Sequence, residues 1–345
     1  MPLLDAKTSS KIAAFGLVCA FLVVMIHVPQ PVPSDPATPA WWLVRLTAGT
    51  LGRLGVPFYF VASGFFLARH FGEPSWWRRE TAKRVKSLLV PFFLWLALWN
   101  AAEGILAALS NLRSGAAATA GFPSGAALLA RLGIYPFDYP SNIPLWFVRS
   151  LFLYVAASGI LLLLLKKMGL VLPAILLAGS TALRWAGGDS DVCRLLTRFV
   201  SLHGLFYFLM GASISLGILR MPARKTWLAF WGAVGVVGLF ASQFLAAQPV
   251  AGWGALHELS LPFALLAAWR AYPSVSWPRS LTSLAFPVYV LHVFVIRALD
   301  IVMYGDLSCT GLVLKYVVTS VASLGVAAAF KVILPRFHSV AFGGR

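Results

Sequence analysis

Apolar runs of bilayer-crossing length recur from one end of the chain to the other, and no other feature limits its possible folds so severely. About 20 apolar residues is the length that crosses a membrane as a helix. Ten such runs can be marked, at approximately 11–29, 49–69, 88–109, 143–165, 168–185, 199–219, 226–246, 252–270, 281–303 and 311–334. The fifth is the shortest and ends at Arg184. A bilayer leaves no water to satisfy open backbone groups, and the runs lack the alternation of a barrel strand, so helices are expected. The fold class is therefore all-α, a polytopic membrane protein with about ten transmembrane helices. The intervening loops are too short for an independent core, which implies one integral-membrane domain over 1–345.

Charge agrees with this assignment. Only 11% of residues are charged, whereas a soluble domain carries roughly 25%. The net charge of +17 does not point to nucleic acid, because the bases cluster between the apolar runs, as the positive-inside rule requires. With the N-terminus in the cytoplasm, the inner side takes Lys7, Lys11, Arg69, Arg78, Arg79, Lys83, Arg84, Lys86, Lys166, Lys167, Arg220, Arg224, Lys225, Arg270, Arg279, Lys331, Arg336 and Arg345. That is 18 of the 28 basic residues. Both termini are then cytoplasmic. The Pro-rich segment 29–40, the Gly/Ala/Ser-rich stretch 110–142 and most of the few acids lie outside. The first run is longer than a signal-peptide core and lacks a convincing small-x-small cleavage site, so it is expected to be a retained helix. Cys19, Cys193 and Cys309 have no metal-ligand spacing, and no pairing follows from them. No metal site is expected.

The polar residues inside the runs are few, and each is costly in lipid, which makes it a functional candidate by default. His27 closes the first run, KIAAFGLVCAFLVVMIHVP. At ~1.5 Å per residue it stands roughly 24 Å from Lys11, in the outer part of the hydrocarbon layer. Arg53, Glu103, Arg149, His203 and the pair His257–Glu258 fall at similar depth, and His292 lies deeper. Arginines near helix ends can instead snorkel to water. Convergence of His27, Glu103, Arg149 and His257–Glu258 predicts an outward-facing polar cavity. On the inner side, Arg78, Arg79, Lys83, Arg84 and Lys86 form a basic cluster. Arg79, Lys83 and Lys86 have the spacing of one helical face. Such a cluster suits a polyphosphate or an anionic lipid surface. Ser63, in VASGFF, is expected to permit close helix packing rather than attack a substrate.

The first helix ends in LVVMIH, the second carries GVPFYFVASGFFLARH, and the third opens as KRVKSLLVPFFLW. Further on come IPLWFVRSLFLYV, LFYFLMGASIS and FPVYVLHVFVI. In this order the segments resemble the acyltransferase 3 family of membrane-bound O-acyltransferases, over essentially the whole chain. The resemblance implies transfer from an acyl-CoA, acetyl-CoA first, that approaches from the cytoplasm. The acceptor is an extracytoplasmic glycan or lipid-linked sugar, and no cofactor is bound. It also implies a location in the bacterial cytoplasmic membrane. His27 is then the general base or a transient acyl carrier, with Glu103 or Glu258 orienting it. Arg53, Arg149, Trp146, His257 and His292 are expected on the substrate side. Arg78, Arg79, Lys83, Arg84 and Lys86 are expected on the CoA phosphates, with Lys11 below His27. The family commonly has an arginine eleven residues before this histidine, where this chain has Gly16; Lys11 is the candidate to replace it in part. The competing readings are a transporter or flippase and a non-catalytic relative. Pro57, Pro91, Pro173, Pro262 and Pro287 are scattered rather than symmetric, unlike the paired broken helices of transporters.

Overall fold

The computed structural model describes residues 6–29, 31–114, 125–186, 190–219, 225–245, 253–303 and 308–344. Arg220, Arg224 and Arg345, counted above toward charge asymmetry, lie outside them. The described residues form helices and connecting turns, with no strand among them. The long helices are α1 (Ala6–His27), α2 (Pro39–Ala68), α3 (Trp76–Ser110), α4 (Ile143–Met168), α5 (Val171–Ala186), α6 (Asp191–Ser215), α7 (Lys225–Leu245), α8 (Trp253–Ala271), α9 (Ala285–Met303) and α10 (Cys309–Ile333). A short α11 (Pro335–Ala341) follows.

Seven of these, α1–α4, α6, α9 and α10, are long and apolar enough to cross a membrane. Helix α5 and Ala229–Leu245 of α7 are apolar but shorter. Helix α8 carries His257, Glu258 and Arg270 and is not among the seven.

Several helices begin well before the apolar runs do. Thr38 caps α2, its hydroxyl accepting from Trp41 N at 3.3 Å, with Pro39 in the first turn. Oxygen-bearing caps and N-terminal prolines satisfy or remove the donors a helix start leaves open. Ser190 and Ser308 cap α6 and α10 in the same way. Hydrophobicity locates what lies in lipid, whereas these polar starts extend the helix beyond it.

Helix α1 is embedded in the bundle, packed against α2, α9 and α10. Its Ala14, Phe15, Leu17, Cys19, Ala20, Val23 and Val24 are buried. Helices α7 and α8 pair closely, α8 rests on α5, and α5 rests on α6. Helix α6 crosses α2 at two glycines. A Cβ on Gly64 would lie 1.8 Å from Phe208 O, and one on Gly211 would lie 1.9 Å from Val61 O. Small residues at such a crossing let the backbones meet, where van der Waals contact drives association in lipid. The SG pair of VASGFF thus serves packing through Gly64. Between α9 and α10, Lys315 pairs with Asp300 in a nearly buried ion pair.

The C-terminal α11 folds back onto α3. Trp95 Nε1 donates to Ala341 O at 2.7 Å, and Phe342 is fully buried against the Trp95 ring.

The α2–α6 crossing predicts that Gly211→Ala lowers the thermal unfolding midpoint in detergent, overpacking here costing about 1–3 kcal/mol. Gly104→Ala, where an added Cβ meets nothing within 4 Å, should leave the midpoint unchanged or slightly raised.

Candidate active site

A cavity of about 310 Å³ opens where α1 ends, beside the irregular turn of α2, the N-terminal turns of α4 and α8 and the middle of α6. Its polar lining includes His27, Arg53, Arg184, His203, His257 and Glu258; Trp146, Tyr139, Phe60 and Tyr207 supply aromatic walls.

Each polar group reaches the cavity for a local reason. His27 is the last residue of α1, half-buried at the rim of the hydrophobic stack below it. Arg53 belongs to a break in α2, where a π turn (Thr47–Leu51) runs into a 3-10 turn (Gly52–Leu54). Such breaks re-aim side chains and often mark functional positions. Gly52 lets this turn approach α1, since a Cβ there would meet Ile26 Cγ1 at 2.7 Å and Leu22 O at 3.1 Å. The Arg53 side chain is exposed into the cavity and forms no hydrogen bond or ion pair among the described residues.

Glu258 is fully buried. Arg184 Nε lies 2.5 Å from its Oε1, while His203 Nδ1 contacts Oε2. The Ser180 hydroxyl is 3.3 Å from Oε2. Isolated burial of a carboxylate is prohibitive, and a charge this deep persists only when paired and hydrogen-bonded. Three helices, α5, α6 and α8, therefore converge on one carboxylate. Its neighbour His257 has Nδ1 at 3.4 Å from Ser242 Oγ and 3.5 Å from Gln243 Nε2, both on α7.

His292 does not line the cavity but backs it. It is fully buried, its ring centroid 5.2 Å from that of His27. Its Nδ1 is 2.6 Å from Tyr289 O, and because a carbonyl can only accept, Nδ1 carries the proton. The tautomer leaves Nε2 as an acceptor without a partner among the described residues.

Of the expected cavity residues, His27, Arg53, Trp146, His257 and Glu258 are brought together. Three are not: His292 backs the cavity, and Glu103 and Arg149 are placed elsewhere. Glu103 lies on the bundle exterior, in a two-point pair with Arg297 at 2.8 and 3.3 Å. Both side chains are more than a third exposed, so Glu103 does not orient His27. Arg149 is buried as a backbone clamp: Nη1 donates to Gly133 O at 2.9 Å and Asp138 O at 3.0 Å. Its Nη2 donates to Arg198 O at 3.0 Å, and the guanidinium sits 4.4 Å over the Phe199 ring. Those carbonyls tie 133–138 to the start of α6, leaving Arg149 no face for a substrate.

Arg184, Tyr139 and Tyr207 are cavity residues that depth alone did not assemble, and His203, which shares the depth, was not among the expected site residues. Arg184 ends an apolar run, and His203 opens one, so each had an ordinary interfacial explanation. A tally of deep charges against deep counter-charges was the one available signal, since Glu258 needed a cation.

Along α1, Lys11 Nζ lies 4.4 Å over the Trp269 ring. Gly16 O accepts from Tyr59 OH at 2.5 Å, and a Cβ on Gly16 would find ordinary contacts with Phe58 and Tyr59. An aromatic group, Phe15, Phe58, Trp269 and Tyr272, fills the level above Lys11.

The basic cluster is partly neutralised. Arg79 pairs with Glu73, Lys83 lies 2.7 Å from Glu80, and Arg84 lies 3.9 Å from it. A hydrogen bond from His70, reinforced by Arg79, holds the Glu73 carboxyl below its usual range. Arg78 and Lys86 are exposed and form no ion pair among the described residues. Lys86 lies in a π turn (Val85–Leu89) rather than on the regular helix that carries Arg79 and Lys83.

No curated protein and no solved structure matches the chain. A family model described as an acyltransferase domain does match, over residues 17–332. The matched region starts within α1 and runs nearly to the end of α10, so it contains every cavity residue named above. The chain is an integral membrane protein of the acyltransferase 3 family.

Proposed function

We propose that the chain transfers an acyl group, acetyl in the simplest case, from cytoplasmic acyl-CoA to a hydroxyl of an extracytoplasmic or lipid-linked carbohydrate. The observation that carries this reading is one cavity shared by His27, paired and unpaired cations and aromatic walls, inside an acyltransferase domain. Aromatic rings suit the apolar faces of sugars, and the imidazole suits proton transfer near neutral pH.

In this reading ten helices span the membrane, both termini are cytoplasmic, and the cavity opens outward. The chemistry is then direct. A neutral His27 nitrogen takes the acceptor hydroxyl's proton as the oxygen attacks the thioester carbonyl. The C–S bond breaks, and the thiolate recovers the proton from the imidazolium. In the two-step variant the imidazole nitrogen attacks first and CoA leaves as thiolate; the hydroxyl then displaces the acyl group from nitrogen. His292 acts through His27, as a buried neighbour that touches no cavity surface. Glu258 holds Arg184 and His203 in place rather than contacting substrate. On the opposite face, Arg78 and Lys86 are the cations free to meet CoA phosphates, while Arg79, Lys83 and Arg84 already have carboxylate partners.

Three measurements test this. Purified protein with radiolabelled acetyl-CoA and cell-envelope glycan should transfer label, and His27→Ala should lose at least about 100-fold of that rate. Unimpaired transfer by a folded His27→Ala protein, or no transfer and no CoA binding across a panel of donors and acceptors, would refute the reading. Arg78→Ala with Lys86→Ala should weaken CoA binding by roughly tenfold at low salt, with a smaller effect at high salt, as expected for screened phosphate contacts. Equal affinity under both conditions would remove these residues from the donor site. For orientation, single cysteines at Asp138 and Arg78 in an otherwise cysteine-free chain should differ. A membrane-impermeant maleimide added to intact cells should label only the first.

A further inference from the structure

The cavity's polar groups are unequally matched. It has two guanidiniums, Arg53 and Arg184, and one carboxylate, Glu258. Glu258 is fully buried and already engaged by Arg184, His203 and Ser180. No aspartate, asparagine or glutamine lines the cavity among the described residues. The side-chain amides and free carboxylates that usually accept from sugar hydroxyls are therefore missing. Of its small hydroxyls, Thr197 donates to Cys193 O at 2.7 Å and Ser180 to Leu177 O at 3.0 Å, while Ser201 Oγ accepts from Gly204 N at 3.2 Å. The lining thus carries fixed positive charge in excess, and Arg53 is its guanidinium without a carboxylate partner among the described residues.

A guanidinium that faces a cavity inside a lipid-embedded bundle, with no carboxylate beside it, is placed to pair with an anionic ligand group. We propose that the acceptor bears an oxyanion, a phosphate or a carboxylate, close to its reacting hydroxyl, and that Arg53 pairs with it. The inference rests on the acyl-transfer reading for the word acceptor, but the anion subsite stands on the lining alone. A planar guanidinium meets either oxyanion through two parallel N–H···O bonds. The break in α2 gives the reason for its position: it turns Arg53 off the α2 helix face and into the cavity beside the last turn of α1, where His27 stands. A glycosyl phosphate and a uronate satisfy the same chemistry, whereas a neutral glycoside leaves Arg53 unpaired.

The test uses the full chain in detergent without acyl-CoA. Methyl glucoside, glucose 1-phosphate and glucuronate serve as probes, with binding followed by calorimetry at low and high salt. At least one anionic probe should bind roughly tenfold or more tighter than the neutral one, the scale of a charge-assisted hydrogen-bonded pair. The preference between phosphate and carboxylate identifies the source of the oxyanion. Arg53→Gln should erase the anion preference, and Arg53→Lys should restore part of it. Equal affinity for neutral and anionic probes would overturn the proposal, as would unchanged anion affinity in a folded Arg53→Gln protein. Efficient acetyl transfer to neutral glycosides, with Arg53→Gln lowering kcat alike for neutral and anionic acceptors, would also overturn it. That result would place Arg53 on the transferred acyl group and leave the acyltransferase reading intact. Anion binding that depends on Arg53, without transfer from any acyl-CoA, would support the subsite while removing the acyltransferase reading.

Discussion

A carboxylate held away from water governs this molecule's functional end. Glu258 is completely buried, and such a charge is tolerated only if its partners are fixed in place. Arg184 and Ser180 from α5 and His203 from α6 provide those partners. Three helices are thereby held at one point, and the space they leave against α1 and the α2 break is the cavity. Lipid-facing apolar surface cannot specify such a point, because one leucine face is much like another in hydrocarbon. The polar contacts supply the specificity that hydrophobic burial lacks in a membrane.

The second constraint is steric. Helix α1 carries His27 to the cavity only because it sits inside the bundle, and it can sit there because small residues let α2 come close. The same principle recurs where Gly64 and Gly211 bring α2 and α6 into backbone contact. Close approach and the π and 3-10 turns of α2 act together. The first brings the two helices near, and the second turns Arg53 toward the shared space. Arg149 does complementary work, tying 133–138 to the start of α6 through carbonyls. An arginine whose two Nη groups are taken up by backbone oxygens is a fastening, whereas Arg53 faces the cavity.

The departure at Gly16 also has a structural counterpart. Tyr59 donates to its carbonyl and the neighbouring rings occupy the surrounding level of α1. Lys11 lies on the Trp269 face rather than projecting along the helix toward His27. Cation–π contacts of this kind hold an ammonium at an aromatic surface. The level of α1 between Lys11 and Gly16 is thus lined by aromatic rings.

The sequence alone determined the helical class, the membrane location, the family and four of the six polar groups named in the cavity, His27, Arg53, His257 and Glu258. Those follow from one-dimensional physics: a bilayer sets run length, backbone groups must be satisfied within the helix, and a histidine or glutamate in such a run is too costly to be incidental. Depth along a helix is also one-dimensional, which is why His27, Arg53, His257 and Glu258 were grouped correctly. Depth was equally blind to direction around the helix axis. Glu103 shares their level but faces outward to Arg297, and Arg149 shares it but turns into a loop of carbonyls. Only tertiary structure decided which groups face one another, because a rotation of one helix by half a turn changes every partner and leaves the hydropathy pattern nearly unchanged.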